Sequence, residues 1–412
     1  MAHRLLVRGA RQLLTLRGPA GPRRGTAMSD LGIIDDGAFL VEDGIITHIG
    51  PASRIENLAA ARSAQPLEVH GHVVMPGFID CHTSIIQAAR CQDGFWPAVR
   101  ALRATTSKRL TAQARNTLEC MAANGTTSLN IHSGYGLDES SELKTLRIAA
   151  ALDLEPLAVC ATFHAAHRTP PEFAGCPDSY LDFVISELLP NVARRRLASA
   201  AAVSCDADFF SVVQARRFLL AARELGFPLS VHASRNANIG AVQLAVDVEA
   251  RTVAQLESAN REEIACLAAS RAIAILLPGA YFYGAALRPA PARPLIDAGA
   301  AVSLATSCNP VDSPIFSMPV VLALACAQLA MSPAEALTAA TINAAHALGL
   351  ASHSGSLESG KNADFLVLAA SDYRDLPQAL GANLVAATSI RGRSGLHPLR
   401  ETAKLGTHDH SP

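Results

Sequence analysis

The chain has 412 residues, 50% of them apolar and 17% charged, with a net charge of −1. That balance suits a large buried core and gives no electrostatic reason to expect nucleic acid or an anionic membrane as partner. No apolar run reaches the ~18 residues of a membrane span. The nine cysteines, an odd number with no CxxC pair, read as free thiols in a reducing compartment such as the cytoplasm.

Taken in chain order, the N-terminal stretch carries Arg4, Arg8, Arg11, Arg17, Arg23 and Arg24 before its first acid, Asp30. Such a stretch reads as a targeting segment or as β structure. The run HRLLVRGARQLLTL, followed soon by GAFLVEDGIITHIG, favours strands of the fold proper. Residues 1–70 continue as short β segments punctuated by Gly and Pro.

From Val73 the rhythm changes. HVVMPGFIDCH, TTSLNIHSG, PLAVCATFHAA, SAAAVSCD, PLSVHAS, RTVAQLES, AIAILLPGA and AVSLATSCNP are apolar runs, each leading into a stretch of helical spacing. The last helical run, SPAEALTAATINAAHAL, opens with Ser332 as N-cap, Pro333 at the first helical position and Glu335 as the third-position acid. Eight near-continuously apolar strands, each followed by a helix, predict an α/β fold, a parallel (β/α)8 barrel over residues 71–350. GKNADFLVLAA returns to β character, so residues 1–70 and 351–412 are expected to form a small composite β-sandwich domain.

Barrel enzymes place their chemistry at the C-terminal ends of the strands. Those ends carry His82 and Ser84, His132, His164 and His167, Cys205 and Asp206, His232 and Arg235, Gln255, and finally Ser307, Cys308, Asn309 and Pro310. Histidines converging on one mouth point to a metal or proton-transfer site.

The segments VVMPGFIDCHT, SGYGLDESSELKTLR, TFHAAHRTPPEF, LLPGA, NPVDSP, ATINAAHALGL and GKNADFLVLAA together resemble the amidohydrolase superfamily and, within it, the imidazolonepropionase family of histidine breakdown. The similarity spans nearly the whole chain. It implies a metal-dependent barrel, a homodimer, and hydrolytic C–N ring opening of 4-imidazolone-5-propanoate to N-formimidoyl-glutamate. A zinc or iron ion there polarises the carbonyl and activates water.

Residue by residue, the resemblance is broken at the chemistry. The family's His-Thr-His is His82, Thr83, Ser84 here. Its metal-binding histidine of the fifth strand is His232, and the acid or amide three residues later is Arg235. Its proton-shuttling histidine is Gln255, and the metal-binding base of the eighth strand is Ser307. The glycine after its Asn-Pro is Val311, and its first-strand substrate arginine aligns with Cys91, beside Arg90. Tyr135, His167 and Asn309 match substrate contacts.

Two metal ligands thus remain, His82 and His232. The expectation is no metal, or zinc or iron held by the remaining histidines with help from Cys308, Cys91, His132 or His164. His82, His167 and His232 are the candidate proton carriers, with Arg235 as the seat for an anion. Three readings follow: altered or metal-free hydrolysis of a related cyclic amide, an inactive pseudoenzyme that binds a small anionic ring compound, or a subunit that pairs with an active homologue.

Overall fold

In a computed structural model, residues 4–89, 93–233 and 235–395 are described. Arg90, Cys91 and residues 396–412 lie outside them.

Two eight-stranded sheets build the molecule. The first draws on both ends of the chain. Its order is Arg393–Gly395, Val385–Ile390, Phe365–Leu368, Val73–Pro76, Arg4–Leu14, Ile33–Glu42 and Ile45–Pro51, with Gln65–Glu68 beside Arg4–Leu14. Arg4, Arg8 and Arg11 of the Arg-rich stretch thus lie on an interior strand, and Leu5, Leu6, Val7, Leu13 and Leu14 are buried on it. GAFLVEDGIITHIG, read above as one run, divides into Ile33–Glu42 and Ile45–Pro51. Between them Asp43 and Gly44 take φ of 48° and 85°, the left-handed pair that a two-residue hairpin turn requires. The sheet curls on itself like a sandwich: Phe39 and Phe365, from strands not adjacent in it, meet edge to face at 5.1 Å.

The second sheet is the barrel. Phe78–Thr83, Thr126–His132, Ala158–Ala166, Ala200–Cys205, Leu229–Ala233, Thr252–Ala254, Ile273–Leu276 and Ala301–Leu304 lie side by side in chain order, all parallel. The seam between the eighth and first strands closes differently. Ser307 N donates to His82 O at 3.1 Å and Ser84 N to Cys308 O at 2.9 Å. The buried Asp80 carboxylate accepts from Thr306 N at 3.2 Å and from Thr306 Oγ1 at 2.5 Å. Burial pushes the Asp80 carboxyl up to about 6, against the pull of those donors.

The sequence-based boundary at residue 71 needs correction. Val73–Pro76 pairs with Arg4–Leu14 and Phe365–Leu368, so it belongs to the composite sheet, and the barrel starts at Phe78. The run divides at Gly77, where a Cβ would lie 2.2 Å from the Thr127 side chain, which fills the space a larger residue would need. The capping box at Ser332 and Glu335 is present. The helical run behind it breaks at Ala340–Thr341 into Pro333–Ala339 and Ile342–Leu348. There the Ala340 carbonyl accepts from Ile79 N at 2.9 Å, tying the break to the first barrel strand.

Candidate active site

The C-terminal mouth of the barrel opens on a pocket lined by His82, His167, His232, Tyr135, Arg235 and Asn309, along with Ser84 and Gln255. Ser307 is not in the lining; it is fully buried just behind Asn309, where Asn309 Nδ2 donates to Ser307 Oγ at 3.2 Å. Cys205, Asp206, Cys308 and Pro310 do not line the pocket either, and Cys91 lies outside the described residues.

The histidines form one contiguous cluster. His82 stands 4.4 Å from His132 and 4.6 Å from His232 between ring centroids. The side-chain ligand atoms of His82, His132 and His232 all lie within 4.8 Å of one another. Burial holds the imidazoles neutral at ordinary pH. His82, His164 and His232 sit well below the usual histidine range, and His132 and His167 near about 4. His164 is occupied elsewhere, with Nε2 3.1 Å from Ser204 Oγ.

His167 Nδ1 donates to Gly134 O at 2.9 Å, which fixes the tautomer and leaves Nε2 as an acceptor. Its ring lies parallel to Phe209 at 6.2 Å and edge-on to Phe95 at 4.9 Å. The SGYGL loop that carries Tyr135 is organised by Glu142, whose carboxylate accepts from the N–H groups of Gly134, Gly136 and Leu137 at 2.8–3.1 Å. Gly134 is required there: φ is 100°, and a Cβ would meet His164 O at 2.6 Å.

Asn309 is already spoken for. Its Oδ1 accepts from Val311 N and Asp312 N at 2.8 Å each and from Tyr135 OH at 3.2 Å. Its part is to hold the loop and to aim Tyr135. Since the phenol donates to Asn309, any further hydrogen bond at its oxygen is an accepted one.

Arg235 departs from the sequence-based expectation of a free anion seat. Its guanidinium grips Asp312 through two hydrogen bonds, Nη1 to Oδ1 and Nη2 to Oδ2, at 2.9 Å each. The side chains are 13% and 11% exposed. Burial alone disfavours both charges; the facing partners override it, holding Asp312 below the usual carboxylate range and Arg235 above the usual guanidinium range. The pair is net neutral and lines the pocket without lending it a free charge.

The open cation is one the sequence reading missed, Arg168. Its guanidinium carbon lies 4.8 Å from the Phe95 ring centroid and 4.7 Å from that of Phe209. Its Nε is buried without a hydrogen-bond partner; burial disfavours its charge, while Asp208 and Asp312 favour it electrostatically without either forming a close ion pair with it among the described residues. The only sequence signal was its place beside His167. Glu257, two residues past Gln255, was also missed. It is 4% exposed, and burial pushes its carboxyl up to about 7 while Arg235 pulls the other way.

Residues 285–394 match the Amidohydrolase family. The chain is 38% identical to the imidazolonepropionase of Chloroflexus aggregans, over 94% of this chain and 97% of that protein. It is 39% identical to the imidazolonepropionase of Deinococcus radiodurans, over 94% and 98%. The chain belongs to the imidazolonepropionase family. Its fold also matches an adenosine deaminase from Xanthomonas campestris with bound zinc (TM-score 0.70, 19% identity, 98% and 95% of the two chains). A second match is guanine deaminase from E. coli (TM-score 0.73, 16% identity, 95% and 98%).

At the mouth, Gln255 and Ser307 both hold left-handed backbone, with φ of 62° and 52°, a conformation that costs a side-chain-bearing residue roughly 1–2 kcal/mol. Strain of this kind concentrates at functional sites. Among the described residues, the group able to hold a metal is His82, His132 and His232. All three carry a buried nitrogen without a hydrogen-bond partner, and neutral imidazole is a good zinc ligand. Cys308 lies outside this group.

Proposed function

We propose that this chain is an imidazolonepropionase-type amidohydrolase with an altered centre, hydrolysing a C–N bond in a small planar cyclic amide that bears a carboxylate. The observation that carries this reading is the polarity pattern of the pocket. Tyr135 lines the pocket with its hydroxyl hydrogen given to Asn309, so its oxygen meets an N–H group of an imidazolone-type ring as an acceptor, and His167 Nε2 is left to act as a base. Phe95 and Phe209 add apolar walls to the pocket. Arg168, held between those rings, suits a carboxylate at the far end, where a charge-assisted hydrogen bond would form.

In ring opening, water adds to the carbonyl carbon and the ring C–N bond breaks. Tyr135 orients the ring, and His167 Nε2 takes a proton from the attacking water and returns it to the departing nitrogen. His164 packs on His167 at 4.5 Å, nearly parallel, and keeps its ring from turning. A bound metal ion, if held here, lowers the pKa of its water from 15.7 to about 7.

A second reading, binding without turnover, is favoured by Gln255 and Ser307 at the positions where the family keeps its shuttle and base. An ultraviolet ring-opening assay with 4-imidazolone-5-propanoate and hydantoin-type propionates, run beside calorimetry on the same compounds, separates the two. Turnover lost in His167→Asn supports hydrolysis. Binding without turnover supports the second reading, and absence of both overturns the pair.

A further inference from the structure

We infer that His132 completes a three-histidine metal centre with His82 and His232, so that the first, second and fifth barrel strands supply the ligands. The inference shares its pocket with the ring-opening reading, but metal binding is read without any substrate, so either can fail alone.

Geometry comes first. Donor atoms within 4.8 Å of one another share a centre no more than about 2.8 Å from each, and zinc–imidazole bonds of about 2.0–2.1 Å are then reached by small ring rotations. The three side chains come from separate strands and are 4–6% exposed. Such walls exclude competing water and hold the imidazoles in place.

Unmet hydrogen bonding is the second observation. His82 Nδ1, His132 Nδ1 and His232 Nε2 are each buried with no partner. A buried polar atom left so is unfavourable by about 1–3 kcal/mol. Three of them in one cluster are explained together by one shared cation. His164 is excluded from the set, although its ring is only 4.3 Å from His232, because its Nε2 meets Ser204. The Thr83 carbonyl faces the His132 ring, the outer-shell arrangement that orients a metal-binding imidazole.

Charge is the third. A bare guanidinium beside His82 would repel a dication. Asp312 cancels Arg235 through two hydrogen bonds, so the cluster does not face an uncompensated cation there. Three imidazoles suit zinc, cobalt or ferrous iron, and three protein ligands leave a coordination position open toward the pocket. Ser84 and Ser307 offer only neutral hydroxyls, which are not among the usual zinc donors.

The test uses full-length protein stripped with chelator and titrated with Co2+, followed by its visible spectrum and by competition with Zn2+. One ion per chain is expected. His132→Asn should weaken binding by about 100-fold or more, beyond the 10–100-fold that loss of an outer-shell partner costs; His164→Asn should leave it within a few-fold. Native protein that binds no ion, or a folded His132→Asn that binds like native, overturns the inference. Should His132→Asn fail to fold, the cobalt-loaded native protein decides by proton NMR: paramagnetically shifted signals from three imidazoles support the centre, and signals from two overturn it.

Discussion

Arg235 and Asp312, 77 residues apart in sequence, meet through two parallel hydrogen bonds of 2.9 Å at the barrel mouth. Removing one partner of such a buried pair strands the other. Arg235→Ala should therefore destabilise the protein by about 3–5 kcal/mol, read by urea denaturation. Arg235→Met combined with Asp312→Leu should recover most of that loss. A single variant as stable as native would show that the pair is solvated in solution.

Arg168 is expected to govern anion binding instead. A hydrogen bond to a charged group contributes about 1.5–3 kcal/mol, so Arg168→Ala should weaken a hydantoin-type propionate by roughly tenfold to a hundredfold in calorimetry. The same ring without its carboxylate should bind native and variant alike. Equal weakening of both compounds would place the carboxylate elsewhere.

Glu257 gives a pH dependence with a defined sign. Its folded pKa, about 7 against an ordinary 4.5, is raised, so the folded chain keeps a proton that the unfolded chain releases. Stability from this group is fully present below pH 4.5 and is lost as pH rises to about 7, on the order of 3 kcal/mol. Glu257→Gln has no such loss. The melting temperature of the variant minus that of native should climb between pH 5 and pH 8 and level off above; a flat difference would mean that the carboxyl titrates normally.

Metal removal should be visible in stability. An ion that binds only the folded state at 100 times its Kd adds about 2.7 kcal/mol. Chelator should lower the melting temperature of zinc-loaded native protein, added zinc should restore it, and His132→Asn should respond to neither.

Much of this was legible in the sequence, and what was not has physical reasons. Eight apolar runs gave the barrel because strands buried on both faces must be continuously apolar, and Ser332 with Glu335 marked a helix start that is present. Gly77 was not taken as the domain boundary, since Val73–Pro76 and Phe78–Thr83 are both fully buried and read as one run. His132 was visible as a strand-tip histidine, but its direction depends on how the strands stagger around the closed barrel. The Arg235–Asp312 pair and the seating of Arg168 between Phe95 and Phe209 depend on loops from different strands meeting, and no local pattern encodes that.

The seam between the eighth and first strands has a consequence for motion. Phe78–Thr83 lacks a regular ladder on either side: its pairing with Thr126–His132 shifts register twice, and its other edge is stitched partly through the Asp80 side chain. Fewer cooperative backbone bonds mean a lower free energy of local opening. Amide hydrogen exchange should therefore run faster along Phe78–Thr83 than along Leu229–Ala233, which is laddered on both sides. The strand that carries His82 would then be the barrel's breathing edge, and ions or ligands that bridge it to its neighbours would slow exchange there first.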